Sequence, residues 1–219
     1  MPGLRILIAD DHEFIRRGVR ALLEAEPGWK VVAEVADGQE AVEKSKELKP
    51  DILVLDIGMP RLNGLETARR IGKVSPETKI LILSMHDSEN LARAVVQAGA
   101  RGYVTKSEAA RDLVIAIEAL ARGKIFFTSR VDRMMLQSFL YNGKARVPKE
   151  HLLEDQLTSR QREIVQLLAE GNSSKEVSSV LGLSVKTVET HRANIMRRIG
   201  CHTVSDLVRY AVRNKMVEP

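Results

Sequence analysis

Five short apolar runs divide the first 125 residues, and after each comes a segment with helical spacing. The runs cover residues 4–9, 31–35, 52–55, 80–84 and 102–104, and the helical segments 14–25, 38–48, 65–71, 91–98 and 113–121. No other feature constrains the fold as strongly. The runs are partly β-branched and do not alternate with polar residues, the pattern of strands covered by helices on both faces. In the first helical segment Phe14, Ile15, Val19, Leu22 and Leu23 are expected to form one apolar face. Parallel strands need crossovers of this length, so the expected architecture is α/β, a doubly wound five-stranded parallel sheet over residues 1–125.

In such folds chemistry collects outside the carboxyl ends of the strands. The first run ends at Asp10-Asp11, the third at Asp56 and the fourth at Ser84, and Lys106 follows the fifth. Taken singly, these are a capping pair, a loop hydroxyl and a surface lysine. Taken together, three carboxylates at one edge repel and call for a hard cation with oxygen ligands, which suits Mg²⁺. Zinc fits poorly, since the chain has one cysteine and no clustered histidines.

From residue 126 the pattern changes. Val131, Met134, Met135, Leu136, Phe139 and Leu140 form an amphipathic stretch, followed by Tyr141-Asn142-Gly143 and a polar run to Lys149. We read residues 126–153 as a linker with one helix and a tether. The methionine-containing stripe reads as packed core rather than a binding groove. From 154 on there are only short helices with clear punctuation. Thr158-Ser159-Arg160-Gln161 and Ser173-Ser174-Lys175-Glu176 are capping boxes. The first opens a helix with Ile164, Val165, Leu167 and Leu168 inward, the second one carrying Val177, Val180 and Leu181. Gly182-Leu183 make a turn, Ser184 caps a third helix to about Arg198, and Thr203 with Asp206 starts a fourth carrying Leu207, Val208, Ala211 and Val212. The expectation is a small all-α four-helix domain over 154–219 containing a helix-turn-helix. On the third helix Val188, Ile195 and Ile199 point inward, while Lys186, Glu189, Thr190, Ala193 and Arg197 share the opposite side. That face offers small and polar groups to base edges, and Lys186, Arg192, Arg197 and Arg198 to phosphates. A plain helical interaction module with a solvated outer face has the same pattern.

Charge supports the division. Residues 1–125 carry 19 basic and 19 acidic groups, 126–153 carry 5 and 2, and 154–219 carry 10 and 8. The excess of +5 therefore lies in the last 94 residues, where a polyanion would be met, although its size alone does not establish nucleic-acid binding. The apolar runs are far shorter than the ~20 residues of a membrane-spanning helix, and the start of the chain lacks a signal-peptide pattern. A single cysteine, Cys201, cannot make an internal disulfide and reads as a buried or incidental thiol. The expected compartment is the cytoplasm, with no membrane partner.

The motifs resemble a known family. Asp10-Asp11, Leu55-Asp56-Ile57-Gly58-Met59-Pro60 with Gly64, Ser84, and Gly102-Tyr103-Val104-Thr105-Lys106 resemble the flavodoxin-like receiver domain of two-component response regulators. The runs Leu157 through Glu163 and Gly182 through Arg192 resemble the LuxR-type helix-turn-helix. The whole chain thus resembles a NarL/FixJ-type response regulator. The resemblance implies that Asp56 accepts a phosphoryl group from a sensor histidine kinase. It implies that Asp11 and Asp56, with Asp10 through water and the Gly58 carbonyl, hold Mg²⁺, and that Ser84 and Lys106 bind phosphoryl oxygens. Tyr103 occupies the family's aromatic switch position, where the ring turns into the space that Ser84 vacates. The family commonly has proline after the lysine, where this chain has Ser107, and Gly58 and His86 stand where the family tunes dephosphorylation.

For the second domain, the resemblance implies that residues 184–198 enter the major groove and that a homodimer binds paired half-sites. Lys186, Glu189, Thr190 and Ala193 then face bases, with Thr187, Arg192 and Arg197 beside them. Ala193 offers a methyl contact, and Glu189 either accepts from cytosine or orients Lys186 and Arg192. The last helix, residues 203–213, corresponds to the family's output-domain dimer surface. The resulting expectation is a phosphorylation-switched transcription regulator and not an enzyme. A phosphohydrolase of the haloacid-dehalogenase type would need an aspartate where Gly58 stands, as its general acid. An autoinducer receptor would need an aromatic-lined cavity, and Trp29 is the one tryptophan. A regulator that never needs phosphate is the third rival, disfavoured by the complete set of strand-end residues.

Overall fold

The computed structural model describes residues 3–85, 89–128, 157–214 and 216–217. The expected linker helix with its methionine stripe, the tether, and His86 lie outside the described residues. The chain divides into two compact units, 1–143 and 144–219.

The first unit is a parallel sheet of β1 (Leu4–Ala9), β2 (Trp29–Val35), β3 (Ile52–Asp56), β4 (Lys79–Ser84), β5 (Gly102–Thr105) and β6 (Phe126–Phe127) in the order β2-β1-β3-β4-β5-β6. Its helices are α1 (Glu13–Glu24), α2 (Gly38–Leu48), α3 (Gly64–Val74), α4 (Glu89–Gln97) and α5 (Ala109–Ala121). Alternate residues of each strand feed two different cores. Leu7, Leu53, Leu55, Ile82, Tyr103 and Phe127 pack with Ala41 of α2, Ala68 and Ile71 of α3, and Val95 of α4. Ile6, Ile8, Val54, Leu81, Leu83 and Val104 pack with Val19 and Leu23 of α1, and Leu113, Ile117 and Leu120 of α5. Covering on both faces explains why the strands read as unbroken apolar runs, and each fully buried aliphatic side chain contributes about 1.5–3 kcal/mol.

Two expectations need correction. The sheet has six strands rather than five, because Phe126 and Phe127, read as the start of the linker, pair with Gly102 and Tyr103 of β5. Gly123 turns the chain after α5 with a φ of +75°, and a two-residue strand is too short to show any periodicity. On α1, Phe14 is 85% exposed and Leu22 is also exposed. Ile15, Val19 and Leu23, spaced by four, carry the packing; Phe14 and Leu22 stand one position off that row, about 100° round the helix.

The second unit consists of α6 (Ser159–Ala169), α7 (Ser174–Leu181), α8 (Val185–Ile199) and α9 (Val204–Arg213) among the described residues. Three helices begin in capping boxes, Thr158 with Gln161, Ser173 with Glu176, and Thr203 with Asp206. Each satisfies amide donors that the helix itself leaves open. Gly182, at φ +64°, makes the left-handed turn between α7 and α8 that a residue with a Cβ takes only under strain. Leu157, Ile164, Val165, Leu168, Val177, Val188, Ile195, Leu207 and Ala211 form the core. Of the apolar residues that α7 carries, Val180 is exposed and Val177, three residues earlier, is fully buried.

Candidate functional site

The strand order reverses around β1, which lies between β2 and β3. In a doubly wound sheet the crevice forms there, outside the carboxyl ends of β1 and β3. Asp10 and Asp11 follow β1, and Asp56 ends β3. Asp10 is 2% exposed and Asp56 3%. Lys106, just past β5, reaches back so that its Nζ lies 2.8 Å from Asp10 Oδ2 and 3.1 Å from Asp56 Oδ1. One ammonium thus bridges two buried carboxylates. Burial is the largest influence on Asp56 and pushes its carboxyl up to about 6; the Asp10 charge adds to the rise, and Lys106 opposes it. For Lys106 burial acts downward, but the charges and hydrogen bonds of Asp56 and Asp10 outweigh it and the net direction is up.

Asp10 Oδ1 accepts the His12 backbone N–H at 2.8 Å, which fixes the carboxylate at the start of α1. Asp11 is less buried, and its Oδ1 lies 2.8 Å from His12 Nδ1. Asp10, Asp11, His12 and Asp56 each offer a ligand atom within 4.8 Å of the others. Apart from Lys106 Nζ at 2.8 Å from Asp10 Oδ2 and His12 Nδ1 at 2.8 Å from Asp11 Oδ1, these two buried oxygens have no partner among the described residues, so their remaining lone pairs suit a cation. A carboxylate-rich donor set of this kind fits a hard divalent ion such as Mg²⁺. His12 is not among the residues expected from the sequence, because it belongs to no histidine cluster; its place directly after Asp10-Asp11 is the available signal.

The loop after Asp56 is packed to the limit. A Cβ on Gly64, the first residue of α3, would lie 2.0 Å from the Asp56 carbonyl oxygen, so no other residue fits there. Gly64 N–H donates to Ile57 O at 2.9 Å, closing the loop on which half-buried Gly58 sits. On the other side of Asp56, β4 pairs Leu83 with Asp56, which places Ser84 one residue further out. Ser84 is 4% exposed, and its carbonyl accepts the Lys106 backbone N–H at 2.8 Å. Tyr103 is fully buried, in the same core as Met59 and Ile82. The peptide bond between Lys106 and Ser107 is trans. The structure therefore brings Asp10, Asp11, Asp56 and Lys106 into one cluster and holds Ser84 against Lys106 through the backbone. A carboxylate nucleophile, an ammonium and oxygen ligands for a hard cation form a set suited to receiving a phosphoryl group.

In the second unit Ser184 Oγ accepts the Thr187 N–H at 3.0 Å and caps α8. Lys186, Glu189, Thr190, Ala193 and Arg197 are all exposed on that helix, while Thr187 and Arg192 are half-buried. Thr190 Oγ1 donates to Lys186 O at 2.8 Å, which leaves its lone pairs facing outward. Arg197 and Arg198 lie in the last turn, where the helix dipole favours cations. Val188 and Ile195 are fully buried on the inner side, as the spacing requires. Cys201 is buried, which pushes its thiol up and away from the reactive thiolate; the Asp206 charge acts the same way.

The response regulator receiver domain model matches residues 6–118, and the model for bacterial regulatory proteins of the luxR family matches residues 155–211. The oxygen regulatory protein NreC of Staphylococcus aureus is 36% identical over 98% of this chain and 100% of its own length. A LuxR-family two-component response regulator from Aurantimonas is similar in structure, with 38% identity, a TM-score of 0.60, and coverage of 63% of this chain and 99% of that one. RcsB, solved as two dimers bound to two parallel DNAs, has 26% identity and a TM-score of 0.59 over 97% of this chain and 98% of its own. No helix among the described residues is long and apolar enough to cross a membrane.

Proposed function

Because the chain belongs to the two-component response regulators that join a receiver domain to a LuxR-type helix-turn-helix, we propose that a sensor histidine kinase phosphorylates Asp56. The modification would control binding of a homodimer to paired DNA half-sites. The family consists of transcription regulators, not enzymes. The observation that carries the proposal is the Lys106 ammonium held between buried Asp10 and Asp56 at the switch point of the sheet.

An ionised Asp56 oxygen attacks phosphorus as the bond to the donor imidazole breaks, and the imidazole departs with the electron pair and takes up a proton. The nucleophile must be deprotonated, and with its carboxyl at about 6 it is so at pH 7 and above. Asp11, Asp56, the Gly58 carbonyl and, through water, Asp10 would hold Mg²⁺, which supplies positive charge to the phosphoryl oxygens. Lys106 is then free to leave the carboxylates for a phosphoryl oxygen, and Ser84 to donate to another. Tyr103 would respond to the displacement of Ser84 and bias an existing equilibrium between inactive and active receivers.

In the output domain from residue 154 on, α8 would enter the major groove. Lys186, Glu189, Thr190 and Ala193 would face bases, with Thr187, Arg192 and Arg197 beside them. A single short helix of modest charge binds weakly, and two linked copies gain by effective concentration. The RcsB complex with dimers on DNA supports this reading.

The test is selection of binding sites from random DNA with the full chain, with and without beryllofluoride and Mg²⁺ as a phosphoryl mimic. A paired motif enriched only with the mimic is expected, together with loss of phosphoprotein in Asp56→Asn. The same motif in both samples would refute phosphoryl control, and enrichment in neither would refute DNA recognition.

A further inference from the structure

The turn after the phosphoacceptor strand is strained, and one side chain anchors it. Leu62 N–H donates to Pro60 O at 2.7 Å, a three-residue turn centred on Arg61, whose φ is +65°. Such a backbone is unfavourable for any residue with a Cβ and persists only where the surroundings over-determine it. The anchor is an ion pair between Arg61 Nη2 and Asp37 Oδ2.

Asp37 is 1% exposed. Its Oδ1 caps α2 by accepting Gln39 N–H at 2.8 Å and Glu40 N–H at 2.9 Å. Its Oδ2 is buried without a hydrogen bond, and the Arg61 guanidinium is its only ion-pair partner among the described residues. The backbones are in direct contact as well. A Cβ on Gly38 would lie 2.1 Å from both Leu62 O and Thr67 Oγ1. Residues 57–63 are thus wedged between the start of α2 and, through Gly64, the Asp56 carbonyl. Gly58 lies on this loop, between the end of β3 at Asp56 and the strained turn at Arg61.

We propose that Arg61 is a positioning residue for the cation site. Its ion pair with Asp37 holds the strained turn, and through the turn the Gly58 carbonyl and the Asp56 backbone, in the geometry that accepts Mg²⁺. The inference rests on the assignment of Asp56 and Gly58 as cation ligands made above. Groups that orient ligands without touching the metal commonly affect affinity by about 10–100-fold.

The experiment measures Mg²⁺ affinity of the full chain by calorimetry, and in parallel urea unfolding in EDTA followed by Trp29 fluorescence. Arg61→Gly removes the anchor and leaves Asp37 Oδ2 buried without a partner, which lowers stability, while suiting the positive φ, which raises it; the unfolding curve gives the balance, and the Mg²⁺ Kd is expected to rise about 10-fold. Arg61→Lys keeps the charge and stays within about threefold of the parent, the rescue that a merely structural arginine would not show. Asp37→Asn keeps the α2 cap and gives the same loss as Arg61→Gly, and the double variant loses no more than either single one. An Arg61→Gly Kd within about twofold of the parent overturns the inference, as do losses in single variants that simply add. A parent chain that binds no Mg²⁺ overturns the assignment of the cation ligands, and the inference with it.

Discussion

Replacing Asp56 by asparagine should make the receiver more stable, not less, in the absence of a divalent cation. Asp56 is almost completely buried, and its carboxyl is pushed from 3.8 to about 6, first by burial and then by Asp10. A carboxyl raised in the folded state binds more protons there than in the unfolded chain between about pH 4 and pH 6. Its contribution is therefore fully present below about pH 4 and is lost as pH rises through 6. The rise of about 2 pH units corresponds to ~3 kcal/mol at pH 8. The asparagine amide would keep the shape without the charge, and Asp10 would still pair with Lys106 at 2.8 Å. Urea unfolding followed by Trp29 reports on this unit, since the one tryptophan is in β2. In EDTA, Asp56→Asn should exceed the parent by up to ~3 kcal/mol at pH 8, with the difference closing towards pH 4. Mg²⁺ should then close the gap, because only the parent gains binding free energy, about 2.7 kcal/mol at a hundred times Kd, and reverse the order at a thousand times Kd, where the gain is about 4.1 kcal/mol. Equal stability of the two proteins from pH 4 to pH 8, or a parent more stable at pH 8 in EDTA, would refute the electrostatic account of the site.

Lys106→Met should raise Mg²⁺ affinity about 10-fold or more while abolishing phosphoryl acceptance. It removes an ammonium competing for the same oxygens, and unit charges ~5 Å apart interact by ~3 kcal/mol at an effective dielectric of 20. Calorimetry showing weaker binding would contradict this. Arg192→Ala should weaken DNA binding evenly across sequences and lower the salt slope by about one, whereas Glu189→Ala should change base preference at one position by ~1–3 kcal/mol. Salt-titrated binding to a site library separates the two, and a uniform effect of Glu189→Ala would remove that residue from base contact. Ser184→Ala deletes the α8 cap and should cost about 1 kcal/mol in thermal unfolding of the second unit, with a change below ~0.3 kcal/mol showing that the cap is not used in solution.

The parts of the molecule legible in the sequence are those set by local chemistry or by a rule of the fold. Capping boxes act within four residues, so Thr158, Ser173 and Thr203 mark helix starts directly. Parallel strands joined by helices must end on one edge, so Asp10, Asp56 and Lys106 could be brought together although they are spread over almost a hundred residues. Features that depend on tertiary geometry were not visible. Arg61 and Asp37 come from two separate loops and meet only because α2 and α3 pack side by side. Phe14 fits an apolar periodicity, yet lies one position off the row that faces the sheet. Exposure on α8 follows from spacing, while what each exposed side chain meets is not set by the chain's own periodicity.

The short sixth strand has a practical consequence for dividing the protein. Phe126 N–H donates to Arg101 O at 3.0 Å, and Thr128 N–H to Tyr103 O at 3.3 Å. A fragment cut at residue 125 would leave those carbonyls on a bare sheet edge and uncover the side of Tyr103 that Phe127 now meets. Unprotected edges pair with other copies, so such a fragment is expected to self-associate through β5 for reasons that have nothing to do with Asp56. A fragment ending after Thr128 keeps β5 paired and presents an edge strand of only two residues, so its association state is the one to compare between the parent and Asp56→Asn.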